Sequence, residues 1–400
     1  MTRLVYGKSR AEKVTWPDRV DPLYELEYQD FIQQKWSTEK LLKQELRVTD
    51  AGVVRPLVNE QSVVMRRPAN VTHSGRAIMI VAALSEFNHL TTAQIATLLD
   101  VHIGYVTTTL EELVISGVVL RLDMGREFQR DKGFGDVWRL NRCADNPHIS
   151  RWAARLKPVE WMLISNGVDM DTISGSNHPF AIQHNIMTNE LLIRAMESNP
   201  AIIGAWGERH ARMVDMYQNV RFPEDVSRKN IADGILVTRS GKIIVIEASG
   251  SSLVNKKGGD NKNALVKKAA AWVAACAYSE LDIRVVFVDI SAKPDVSRLE
   301  LYVGIGVEKE SAAYVTRRRY RQKGAEKIYV ADGRRWFPSA RSVSDDFLWM
   351  LAHNTANNRN EHIIDEDDFI SNPDADIVRN TLAALHVPSW IKNMPDLKIA

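Results

Sequence analysis

The chain has 400 residues, of which 45% are hydrophobic and 26% charged, so it is long enough for two or three domains with conventional cores, and global disorder is excluded. No apolar run reaches the roughly 18 residues that span a bilayer. Met1–Lys8 lacks a signal-peptide core, and Cys143 and Cys276 cannot build a disulfide framework or a Cys-rich zinc site, so a cytoplasmic protein with no membrane partner is expected.

The net charge of +2 comes from 52 basic and 50 acidic residues and, taken as a sum, argues against nucleic-acid binding. The charges are segregated, however. Arg317–Arg335 holds eight basic residues against two acids, Asn255–Lys268 holds five lysines against Asp260, and Glu361–Asp376 holds seven acids and no Lys or Arg. Such blocks suit an interaction surface and an acidic tail, or else solvated faces.

In chain order, residues 1–73 form an arm of unclear structure, with short helices expected over Asp21–Trp36 and Ser37–Leu46. Residues 74–142 read as three helices and a β-hairpin. The helices are Arg76–Phe87, a second from Thr91 or Thr92 to Leu99, and Ile103–Ile115, with His89-Leu90-Thr91 as the first break. Either threonine can cap the second helix, because a hydroxyl satisfies an orphan N–H there. Val118–Met124 and Asp136–Leu140 read as strands. This is the layout of a winged helix-turn-helix. The helix that would enter a DNA groove exposes His102, Tyr105, Thr107, Thr108 and Glu111 but no Lys or Arg. The basic groups sit in the hairpin instead: Arg121, Arg126, Arg130, Lys132 and Arg139. A wing contacting phosphates is therefore expected, with double-stranded DNA as the partner; the alternative is a surface for protein contacts.

Residues 150–335 carry the second domain. Gln183–Ser198 reads as a helix containing Glu190, and Ala201–Trp206 as a strand. A hairpin follows, 231–238 and 242–249, closed by Arg239-Ser240-Gly241 with Gly in the left-handed position. On that register Thr238 pairs with Lys242, and Asp233 lies opposite Glu247. Both faces of the hairpin are mostly apolar, which places it centrally in a covered sheet. Two carboxylates side by side in such a sheet repel each other and are costly to bury. A divalent cation with oxygen ligands, Mg²⁺ or Mn²⁺, would neutralise them. The alternative has Asp233 capping the strand and Glu247 solvated. A helix, Asn263–Tyr278, and a strand, Ile283–Asp289, complete the pattern. Gly304-Ile305-Gly306 follows a strand-like Leu301-Tyr302-Val303 but lacks the remainder of a dinucleotide site. Trp336, Phe337 and Trp349 read as core packing or a stacking platform. Residues 336–400 are expected to be a helical extension with the acidic stretch.

Helix, strand, hairpin, helix and strand, with an acid on the helix, an Asp where the hairpin starts and a Glu where it ends, resemble the PD-(D/E)XK nuclease superfamily. The overall expectation is an α+β chain, a winged helix-turn-helix followed by a PD-(D/E)XK-like α/β domain with a mixed central sheet. The resemblance implies that Glu190, Asp233 and Glu247 hold Mg²⁺ or Mn²⁺ for phosphodiester hydrolysis, with a lysine assisting. Ser249 occupies the usual lysine position, and Ala232 stands where Pro is common. The resemblance then implies Lys267 or Lys268, on the following helix, as the substitute; solvated or phosphate-contacting lysines are the alternative. A winged helix, His184, Asn189 and Glu190 on one helix, Asp233-Gly234 and the terminal Glu247 further resemble the replication-relaxation family of plasmid and mobile-element proteins. That likeness implies DNA transactions of a plasmid, phage or transposon. Arg317, Arg318, Arg319 and Arg321 form a candidate phosphate-binding strip beyond this core. The readings left open are a metal-dependent endonuclease or nickase, a non-catalytic replication, segregation or transcription factor on a nuclease scaffold, and a transposition endonuclease that needs a homodimer or protein partners.

Overall fold

In the computed structural model of the chain, the residues described are 74–99, 101–115, 119–122, 137–140, 179–208, 232–249, 259–279, 281–290, 295–312, 323–336 and 348–369. The N-terminal arm, the hairpin residues Arg126, Arg130 and Lys132, the strip Arg317, Arg318, Arg319 and Arg321, and Phe337 lie outside them. The described residues divide into two compact units, one within 74–186 and one within 187–369.

The first unit holds α1 (Ser74–Phe87), β1 (Leu90–Thr91), α2 (Thr92–Leu99), α3 (Ile103–Ile115), β2 (Val119–Leu122) and β3 (Val137–Leu140). Asn88, with φ of 58°, closes α1 in the left-handed region that Asn tolerates. Thr91 starts α2 as one half of a reciprocal cap. Its Oγ1 accepts from the Gln94 backbone N–H at 3.1 Å, and Gln94 Oε1 accepts from the Thr91 N–H at 3.0 Å. His89-Leu90-Thr91, expected as a plain break, includes a two-residue strand instead. Leu90 pairs with Trp138 and Thr91 with Val137, giving a three-stranded antiparallel sheet of order β1-β3-β2. Ile80, Leu84, Leu90, Ile95, Leu99, Val106, Leu110, Leu113 and Trp138 form its buried core.

Helix α4 (Pro179–Ser198) starts earlier than its apolar pattern suggests, with Pro at its first position, where a missing N–H costs nothing. In the second unit, β4 (Ile202–Gly207), β5 (Gly234–Thr238), β6 (Ile243–Ser249), β7 (Ile283–Asp289), β8 (Ile328–Asp332), β9 (Leu351–Asn354) and β10 (Arg359–His362) form one mixed sheet. Its order is β10-β9-β8-β7-β6-β5-β4, with β6, β7 and β8 parallel and the flanking pairs antiparallel. An α+β chain with a mixed central sheet is thus what the structure has. Helices α5 (Gly259–Tyr278) and α6 (Val296–Ala312) follow β6 and β7, and α7 (Gly333–Trp336) follows β8.

Three expectations change. Leu301-Tyr302-Val303 and Gly304-Ile305-Gly306 are not a strand and a glycine loop; both lie inside α6. Leu299, Val303 and Val307 are buried at helical spacing, and a Cβ on Gly306 would meet the Val266 carbonyl oxygen at 2.5 Å, so the glycine serves close packing of α6 on α5. Leu351–Asn354 and Arg359–His362, expected within a helical extension, are strands β9 and β10 joined by a turn. The acidic stretch is not wholly a tail: Glu361 lies in β10, and Asp365 and Asp368 are ion-paired with Lys242. Trp336 is fully buried, its indole N–H bonded to the Leu351 carbonyl at 3.1 Å, and Trp349 stacks on His362 at 5.8 Å.

Candidate functional site

The β5–β6 hairpin follows the expected register. Gly241 has φ of 87°, the left-handed conformation the turn requires, and the Thr238 N–H donates to the Lys242 carbonyl at 3.0 Å. Gly234 pairs with Ile246, Ile235 with Val245, Leu236 with Ile244 and Val237 with Ile243. The regular pairing ends there. The Asp233 N–H donates to the carbonyl of Ile246, the residue already paired with Gly234, at 3.1 Å. The ladder is therefore irregular at Asp233, and the direct Asp233–Glu247 pairing expected from the turn is not formed. A Cβ on Gly234 would lie 2.5 Å from Leu192 Cδ1, so α4 covers the face that Gly234 presents. Successive strand residues face opposite ways, so Glu247 belongs to the other face, which α5 covers, and the Asp233 charge acts on both Glu247 and Lys268 there.

Helix α5 brings two groups to Glu247. Lys268 Nζ forms an ion pair with Glu247 Oε2, and Trp272 donates its indole N–H to Oε1 at 2.5 Å. These residues are four apart and so share one helix face. Glu247 and Trp272 are buried, whereas the Lys268 side chain is 30% exposed. Asp233, half-buried, accepts the Ala248 N–H at 2.7 Å. Burial pushes the Glu247 carboxyl up to about 7; the neighbouring Lys268 opposes this and the Asp233 charge adds to it. Burial works against the Lys268 ammonium, but the charges of Glu247 and Asp233, with a further contribution from Glu208, raise its pKa and keep it a cation.

The structure therefore brings Asp233, Glu247 and Lys268 together. Lys267 is exposed and forms no part of the group. Glu190 is placed in a different pair: it is buried on α4, and Arg194 Nε donates to its Oε1 at 2.8 Å. Among the described residues no three His, Cys, Asp or Glu side chains are arranged to hold a metal ion. The two carboxylates that do meet are oxygen donors of the kind Mg²⁺ uses, since that ion keeps several waters and takes one or two carboxylates from the protein. Further along the same sheet edge, Ser249 is in register with Asp289, and Asp289 with Asp332.

Two residues escape a reading by motif. Trp272 sits in an Ala-rich helical run that looks like plain core; its position one turn after Lys268 was the available signal. Asp289 ends β7 beside Ser249, and its carboxylate accepts the Asp295 N–H at 2.8 Å.

In the first unit, α3 opens with His102, whose Nδ1 accepts the Gly104 N–H at 3.1 Å and caps the helix. Tyr105 is 59% exposed and Ile103 45%. The Thr107 and Thr108 hydroxyls donate back to the Ile103 and Gly104 carbonyls at 3.0 and 3.1 Å, leaving their lone pairs as acceptors. Arg76, a residue that no motif marks, lies over the Tyr105 ring at 5.0 Å, and Arg121 lies 5.9 Å from the Trp138 ring centroid.

Compared with known proteins, the chain matches no family model, no curated protein and no solved structure.

Proposed function

We propose that this chain is a DNA-binding protein of a mobile element, in which a winged helix precedes a PD-(D/E)XK-like unit acting as a divalent-metal-dependent endonuclease or nickase. The observation that carries this reading is the group Asp233, Glu247 and Lys268. Two acids act on each other at one end of a buried hairpin, and the lysine absent from the strand at Ser249 is supplied by the next helix. The order α4, β4, β5, β6, α5, β7 supports the nuclease-like assignment, and the sheet order β1-β3-β2 beside three helices supports the winged helix.

Asp233 and Glu247 would hold Mg²⁺ or Mn²⁺, which supplies Lewis-acid activation of water and of the scissile phosphate. Trp272 and the Ala248 N–H hold the two carboxylates in place. Lys268, kept charged, stabilises the negative charge that grows on the phosphate oxygens rather than acting as a base. In the first unit, Tyr105, Thr107 and Thr108 would face base edges, and Arg121 the backbone. A non-catalytic replication or transcription factor is the second reading. It is favoured by one observation: both oxygens of Glu247 already have partners in Trp272 and Lys268.

The test is cleavage of supercoiled plasmid in Mg²⁺ and Mn²⁺. The wild type should nick or linearise it, and Asp233→Ala should abolish this with the fold retained. Plasmid left intact by the wild type in both metals refutes an endonuclease that acts alone and selects the non-catalytic reading.

A further inference from the structure

Resting on the DNA-processing reading above, a second cationic feature lies near the Glu247 group. Helices α5 and α6 run in the same direction: Lys262 meets Tyr302, and one turn on Val266 and Ala269 meet Gly306. Both helices therefore begin on the same side, and each contributes a cation there. Lys262 Nζ lies 5.1 Å from the Tyr302 ring centroid, and the Arg298 guanidinium carbon lies 5.9 Å from it. Arg298 Nε also donates to the Tyr302 hydroxyl at 3.3 Å.

These two cations differ from those held in ion pairs. Arg194, Lys242, Lys268, Arg284 and Arg359 each have a carboxylate partner. Among the described residues neither Lys262 nor Arg298 has one. Asp295, whose charge acts on Arg298, is engaged as the cap of α6, accepting the Arg298 backbone N–H at 3.1 Å. An aromatic ring attracts a cation without cancelling its charge. Tyr302 therefore restrains both side chains while leaving them available to an anion, which lowers the ordering cost of binding one. Lys262 is six residues before Lys268 on the same helix, about 9 Å along its axis.

We propose that Lys262 and Arg298, splinted by Tyr302, form a phosphate-binding clamp that holds the backbone of duplex DNA as it approaches the Asp233–Glu247–Lys268 group. Each cation replaces a counterion on one phosphate, so binding through the clamp is sensitive to salt.

The experiment measures affinity of the full chain for a short DNA duplex across a salt series, by fluorescence anisotropy in EDTA. The Lys262→Gln, Arg298→Gln double variant should bind about tenfold more weakly at low salt, with a log–log salt slope shallower by about two units. Tyr302→Leu should lower affinity while keeping the wild-type slope, because it frees the cations without removing them. Lys309→Gln, at the far end of α6, should change neither. Thermal melting establishes that each variant is folded. A double variant with wild-type affinity and slope overturns the clamp and leaves the DNA reading standing. A wild type that binds no duplex at low salt overturns both.

Discussion

The β5–β6 hairpin meets a lysine and carboxylates at each of its ends, and the two ends use them differently. At the turn, Lys242 donates to Asp368 Oδ2 at 2.6 Å, Asp365 Oδ2 at 2.7 Å and the Ile363 carbonyl at 3.0 Å. Those three acceptors match the three N–H donors of an ammonium. Asp368 is bonded in turn by the Ser240 hydroxyl and by the Asp365 N–H at 2.9 Å. Burial works against the Asp368 carboxylate, yet the bonds from Lys242, Ser240 and Asp365 hold its pKa below the usual value. At the other end Lys268 is partly exposed, and Glu247 sits beside a second acid and is pushed up to about 7. A saturated buried pair locks structure. A pair with an excess of acid and a reachable cation is poised for a ligand.

Breaking the lock should have the largest effect on stability. Lys242→Met leaves Asp368 buried without its cation and should cost about 3–5 kcal/mol in chemical denaturation. At the opposite end, Trp272→Phe removes only one donor from Glu247, and a loss of about 1–3 kcal/mol is expected in the same assay. A loss from Trp272→Phe as large as that from Lys242→Met would erase the contrast between the ends.

The smallest effect is in pH dependence, where the two ends have opposite signs. In metal-free buffer, the folded protein holds more protons at Glu247 than the unfolded chain does between the ordinary 4.5 and about 7. Stability from this end therefore falls as pH rises through that window. At the turn the Asp368 pKa is lowered, so the contribution is present at neutral pH and is lost as pH falls below the ordinary carboxylate range. Denaturation followed against pH should show Glu247→Gln flattening the neutral limb. Asp368→Asn should flatten the acid limb. The reverse assignment would contradict both shifts.

The two ends also differed in how far the sequence revealed them. The acid end was legible in part. A three-residue turn with Gly241 sets the register of β5 on β6 and so brings Asp233 and Glu247 to the same end of the hairpin. The irregular bond from Asp233 to Ile246 was not readable from the turn. Lys268 was legible as one of two adjacent helical lysines; which of them turns inward depends on how α5 lies on the sheet. The turn end was hidden. Lys242 and Asp368 are far apart in the chain, and an acidic run read locally looks like a solvated tail. Strands β9 and β10 were hidden because Leu351-Ala352-His353-Asn354 alternates in burial but not in polarity, while Arg359–His362 is polar and largely exposed. Strand β1, only two residues long, exists through its pairing with β3. In α6, alternation around Tyr302 imitated a strand, and only the longer spacing of Leu299, Val303 and Val307 distinguishes the helix.

The most direct test sets the two lysines side by side. Rates of Mg²⁺- or Mn²⁺-dependent plasmid cleavage should be compared for the wild type, Lys268→Met and Lys242→Met, at a temperature where all three are folded. Loss of charge stabilisation at Lys268 should slow cleavage by about a hundredfold or more, while folded Lys242→Met should cleave near the wild-type rate. Equal rates for Lys268→Met and the wild type would contradict the assignment of the Asp233–Glu247–Lys268 group as the reactive centre.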